Sequence, residues 1–166
     1  VLGDVLFFYV SLYVAMQRKK IIYINNGAIF GGIERNLIAL LEALDKKKYE
    51  VRVVLFQKSK LYGELISRGI PVAVLQSTSF LSTSRVIKNR RIPDFSSLFY
   101  DLILIGIRSV RLYFFLKGEK NIILHSTSLF SHVSAGFAGV MLKIPCVWHL
   151  QDSFSPKFLW GGGVFF

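Results

Sequence analysis

Three groups of residues in this sequence have types and spacings that could do chemistry. The first is a glycine loop, Asn25-Asn-Gly27-Ala-Ile-Phe-Gly31-Gly32, between a short apolar run and an amphipathic segment. Small residues at a helix start let backbone N–H groups approach an anion, and the helix dipole adds to that attraction. Two adjacent glycines exceed what a tight turn requires, so Gly31 and Gly32 are read as facing a phosphate. The loop is not a Walker A motif, because Ile33 and Glu34 stand where Lys and Ser/Thr are required. It is not a dinucleotide fingerprint either: residue 29 is Ile, and Gln57-Lys58 rather than an acid follows the second apolar run.

The second group is Trp148-His149-Leu-Gln-Asp152. A histidine after an apolar strand can act as a base or hold a substrate hydroxyl, and an acid three residues on could orient it or bind the same substrate. By itself this pattern reads equally as a strand-end histidine capped by its own loop. The third group is His125-Ser-Thr-Ser128, whose hydroxyls read as helix N-caps. His125, His132 and His149 are too dispersed for a metal motif, and Cys146 lies in an apolar run, so no metal is assigned.

The surrounding elements follow from periodicity. Apolar runs at 21–24, 50–56, 70–75, 121–125 and 145–149 predict strands. Helical spacing predicts helices over 33–44, 61–68, 98–117 and 126–143, the second ended by Gly69 and the fourth packed closely through Gly136 and Gly139. Residues 76–94, rich in Ser, Thr and basic side chains, are read as irregular. Strands that are continuously apolar and alternate with helices predict an α/β fold, a doubly wound, mostly parallel sheet covered on both faces. The ligand crevice of such a sheet lies at the carboxyl ends of its strands, where all three groups project.

Composition narrows the partners. The 166 residues are 52% hydrophobic and 19% charged, which excludes a disordered chain. Basic residues exceed acidic ones by 11, which favours an anionic partner. No nucleic-acid signature is present, so that class is excluded. Residues 5–16 are apolar and are followed by Arg18-Lys-Lys20; Arg85 to Arg91 form another basic cluster. Both suit an anionic membrane surface. The run 5–16 is shorter than the ~20 residues of a spanning helix. The reading divides the chain into a membrane-associated segment 1–20, a Rossmann-like domain 21–157 and an irregular, truncated tail 158–166.

The residues IIYINNGAIFGGIERNLIALLEALDKKKYEVRVVLF, then ELISRGIPVAVL, NIILHSTS and IPCVWHLQD, together resemble the N-terminal, acceptor-side domain of GT-B retaining glycosyltransferases of the family 4 type. The resemblance covers roughly residues 21–152. It implies a two-domain enzyme that moves a sugar from a nucleotide-sugar to a lipid or saccharide acceptor, in cell-envelope polysaccharide or glycolipid synthesis. It implies no metal and a cytoplasmic site at the inner face of the membrane. By the same resemblance Gly31 and Gly32 line the cleft near the donor diphosphate, His149 is catalytic beside the transferred sugar, and Asp152 binds substrate. The family's donor-binding domain and its paired-glutamate motif are not in this sequence. A missing C-terminal domain or a partner chain would supply them, and activity of the chain alone is expected to be slight. The alternatives are a non-catalytic membrane-associated subunit of a split enzyme, or a decayed gene product.

Overall fold

The computed structural model describes residues 18–27, 30–78, 84–87, 90–93 and 95–150. The segment 1–17, Asp152 and the tail lie outside the described residues. In chain order the elements are β1 (Lys19–Asn25), α1 (Gly32–Ala43), β2 (Tyr49–Leu55), α2 (Lys60–Ser67), β3 (Val72–Val74), β4 (Ser84–Ile87), β5 (Arg90–Pro93), α3 (Phe95–Leu116), β6 (Ile122–Ser126), α4 (Leu129–Leu142) and β7 (Cys146–Trp148). The main sheet runs β3-β2-β1-β6-β7 and every neighbouring pair is parallel. The fold is the predicted Rossmann-like α/β arrangement.

Alternate residues of the central strands feed two cores, as period-2 side-chain geometry requires. Ile22, Ile24, Val54 and Leu124 pack with Leu112 and Leu116 of α3 and Ala135 and Ala138 of α4. Tyr23, Val53 and Leu55 pack with Leu37 and Leu41 of α1 and Leu61 and Leu65 of α2. The glycines of α4 allow its close approach: a Cβ on Gly136 would meet Trp148 Cζ2 at 2.9 Å, and one on Gly139 would meet the Ile144 carbonyl at 3.0 Å.

Several boundaries depart from the pattern, among them that of α3, which starts at Phe95 rather than 98. β1 starts inside the basic cluster, and Lys20 is held by Glu119 at 2.8 Å and Glu50 at 3.7 Å. α4 starts at Leu129 rather than 126 because Ser126 completes β6. Residues 84–93, read as irregular, contain the antiparallel pair β4–β5. The two residues between the strands, Lys88-Asn89, are not the Asn-Gly or Asp-Gly pair that signals a hairpin in sequence.

Candidate functional site

The carboxyl edge of the sheet gathers the ends of β1, β6 and β7. Asn25 closes β1 and is fully buried. Its Nδ2 donates to Thr127 Oγ1 at 2.9 Å and Glu34 Oε1 at 3.3 Å, and its Oδ1 accepts from the Gly27 N–H at 2.6 Å. Glu34 also accepts the Gly31 N–H through Oε2 at 2.8 Å. One carboxylate therefore joins the start of α1 to the end of β1, and Asn25 carries the connection to the residue after β6. Gly27 must be glycine: its φ is +73°, and a Cβ there would lie 2.9 Å from the Gln57 carbonyl.

This places the first predicted pair. Gly31 sits at the N-cap of α1 and Gly32 is its first residue. The Gly31 N–H is already occupied by Glu34, while the space beside Gly32 is open. An anion at this helix start would meet the Glu34 carboxylate and must displace it or approach from the Gly32 side.

His149 follows β7, with its backbone N–H on the Ser126 carbonyl at 2.9 Å. Its ring lies 5.4 Å from that of His125, which in turn lies 4.7 Å from Tyr23 on the neighbouring strand. His125 Nε2 is buried with no hydrogen-bond partner among the described residues. Burial, reinforced by the nearby His149 and His132 side chains, pushes the His125 imidazole below its ordinary value. The unfolded chain binds a proton here at about pH 6.5, the folded chain only at lower pH. This contribution is fully present above about pH 6.5 and is lost as pH falls from there through the folded value. Thermal unfolding followed from pH 7 to pH 5 should show a steeper loss of Tm in the native chain than in His125→Gln. Parallel profiles for the two would refute the assignment.

His132 lies elsewhere. Its Nδ1 is 2.7 Å from Ser126 Oγ, both residues are buried, and its ring stacks on Trp148 at 5.6 Å. It pins α4 to β6 and β7. Ser128 forms the N-cap of α4 as predicted, its N–H held by Ser131 Oγ at 3.0 Å. Among the described residues no group of three or more His, Cys, Asp or Glu side chains could hold a metal ion.

Arg108, inside the helix predicted over 98–117, belongs to none of the three groups singled out from the sequence. It is fully buried beneath this edge. Its guanidinium donates to Asn26 Oδ1, to Ser77 Oγ at 2.9 Å and to the Thr78 carbonyl at 2.7 Å, and lies 4.6 Å over the Phe56 ring. Burial lowers its pKa to about 10 against the opposing pull of Asp101, so it stays charged at neutral pH. Glu34 and Asn25 also went unassigned. The only sequence signal for Glu34 was an acid in the first turn of a helix.

The arrangement is that of half a GT-B fold: a parallel Rossmann-like sheet with a glycine loop and a histidine at its carboxyl edge. Two glycosyltransferases of that fold are structurally similar. HepE (Alr3699) of Anabaena, solved with UDP, superposes with a TM-score of 0.54 at 20% identity over 83% of this chain and 31% of its own. Its complex with UDP-glucose gives 0.55 at 18% over 84% and 31%. MurG of Acinetobacter baumannii gives 0.53 at 16% over 79% and 34%. These likenesses show the fold, and the chain spans about a third of the length of each. No protein-family model and no curated protein sequence matches it.

Proposed function

We propose that the chain is the acceptor-side half of a retaining glycosyltransferase of the family 4 type, with the donor-binding half carried by more of the same protein or by a partner chain. The observation that carries this reading is the strand order β3-β2-β1-β6-β7, which puts the α1 start and His149 on one carboxyl edge, in a fold similar to that of HepE, a protein solved with UDP-glucose. In this reading the backbone at Gly31 and Gly32 lies along the donor diphosphate, where N–H groups offset charge developing on the leaving group. His149 holds a hydroxyl of the transferred sugar or shares charge at the reacting carbon, and Asp152 contacts the same substrate. No metal takes part. The acceptor is a lipid or saccharide of the cell envelope, met at the cytoplasmic face of an anionic membrane.

The test is a titration of the isotope-labelled chain with UDP, GDP and UDP-glucose, followed by NMR. Because the nucleotide pocket belongs to the other half, binding is expected to be millimolar or weaker. Shifts should be confined to the Gly31 and Gly32 amides and the His149 ring. The Gly32→Val variant should fold normally, since the space beside Gly32 is open, and should lose those shifts. Micromolar saturation by the chain alone would overturn the division between halves. Shifts centred elsewhere would overturn the site.

A further inference from the structure

Helix α3 has two unlike faces. Asp101, Leu104, Arg108 and Leu112 are buried. About 200° around the helix from them, Phe99, Ile103, Ile107, Val110 and Phe114 form a stripe that the described residues leave open, with Phe99 and Phe114 each 67% exposed. Helix α4, packed alongside α3, has no Asp, Glu, Lys or Arg and continues the stripe through Phe137 and Val140, the latter 80% exposed. The helices on the other face of the sheet differ. There α1 turns Arg35, Asn36 and Glu42 outward, and Arg68, after α2, donates to Glu42 and Glu64 at the surface. A helix facing water carries polar residues outward, as α1 does, so an apolar outer stripe is one that something covers.

The sequence holds a segment that matches. Residues 5–16, Val5 to Met16, are apolar and carry no charge, and they join the described structure beside the stripe. The main sheet is parallel, so β1, β6 and β7 start on one edge, the edge at which α3 and α4 end. The start of β1 is bound there. The Lys20 N–H donates to the Asn121 carbonyl at 3.4 Å, Lys20 Nζ meets Glu119 at 2.8 Å, and the Glu119 N–H donates to the carbonyl of Leu116, the last residue of α3. Met16 therefore stands just before a strand anchored to the end of α3. The lengths agree: even as a helix, residues 5–16 span about 18 Å, and the stripe from Phe99 to Phe114 spans about 22 Å. Charge disfavours a second copy as the cover. Arg111, Lys117 and Lys143 border the stripe and are exposed, and a two-fold contact would set these cations against themselves. Residues 5–16 bring no charge to that border.

We propose that residues 5–16 of this chain fold back over the outward stripe of α3 and the adjoining part of α4 and form its cover. The inference does not rest on sugar transfer, and for residues 5–16 it replaces the expectation of a membrane contact. It also gives the segment a bearing on the candidate site. The covered helix carries Arg108, which donates to Asn26 Oδ1 and to the Thr78 carbonyl, and Tyr100, whose hydroxyl donates to Thr78 Oγ1 at 2.8 Å. A cover that holds α3 in place therefore steadies the loops after β1 and β3.

The experiment is paramagnetic relaxation measured by NMR on the full chain. A spin label is attached at Ser11→Cys, which alters no apolar residue of the segment, in a Cys146→Ala background that leaves it the single thiol. The same sample with the label reduced is the reference. Amide signals of α3 from Val110 to Phe114 and of α4 from Phe137 to Met141 should lose intensity, and those of α1 and α2 should keep it. Adding Phe99→Ser/Phe114→Ser, changes confined to exposed positions, should restore the intensity on α3 and α4. Unshifted α1 and α2 signals in that variant report that the domain is still folded. A mixture of spin-labelled chain without isotope and isotope-labelled chain without spin label should show no loss. No loss at α3 and α4 in the first sample would put the segment in solvent or in a bilayer and overturn the proposal. Loss that the double variant leaves unchanged would overturn the assignment to this stripe. Equal loss in the mixture would mean that the segment of one copy covers another, and would overturn the proposal as well.

Discussion

Arg108→Met should destabilise the domain by about 3–5 kcal/mol, the range for removing one member of a buried charged network. Arg108 is 82 residues from Asn26 in sequence, yet its guanidinium fills the space between α3, the loop after β1 and the loop after β3. Methionine matches much of its length and apolar contact with Phe56 but none of its donors. Asn26 Oδ1, Ser77 Oγ and the Thr78 carbonyl all lose this donor, and Asp101, 2% exposed, loses its cation. An orphaned buried group costs about 1–3 kcal/mol; Asp101 bears that in full, while Asn26 and Ser77, half-buried, and Thr78, exposed, bear only part of it. Arg108→Lys keeps the charge but cannot span three acceptors in a planar fork, and should lie between the two. Urea unfolding of the three proteins gives the comparison. A loss under about 1 kcal/mol for the methionine variant would mean that water replaces the network.

Asn25→Ala should be next in size, about 3 kcal/mol from three lost hydrogen bonds at a buried position. The effect extends beyond stability. Asn25 fixes Gly27 through Oδ1 and couples Glu34 to Thr127 through Nδ2. Without it the loop before α1 and the end of β6 are no longer held to each other. Amide hydrogen exchange should rise at Gly27 and Gly31 by more than the global stability change explains. A uniform rise across the sheet would mean that Asn25 contributes only to the core. Asn25→Asp keeps the acceptor for Gly27 but faces Glu34 with a second carboxylate. Its stability should recover as pH falls and one of the pair protonates.

Much of the candidate site was legible because its parts sit at element boundaries. Gly31 and Gly32 were recognisable from their position before an amphipathic run, and Ser128 from its place before α4. His149 was visible as a histidine after an apolar strand, though its neighbour was not: His125 and His149 meet because β6 pairs with β7 in a register that puts His125 beside Val147. The Gly31 N–H was read as open to a ligand, and the structure shows Glu34 holding it. A first-turn acid can point to solvent or fold back onto the helix start. Only the buried Asn25 beside it decides which.

The sequence by itself determined the α/β alternation, the parallel sheet and the two-sided core. Those follow from period, turn residues and caps, which act within a few residues of each other. The tertiary structure alone decided where polar groups found partners 82 and 102 residues away, at Asn26–Arg108 and Asn25–Thr127. It alone decided which side of α3 met the sheet. The stripe that met the sheet carries Asp101 and Arg108 and the outward one is the more apolar, so periodicity ranks them the wrong way. Burying Arg108 required the particular acceptors that β1 and β3 bring to its end, and that same choice turned Phe99 and Phe114 outward.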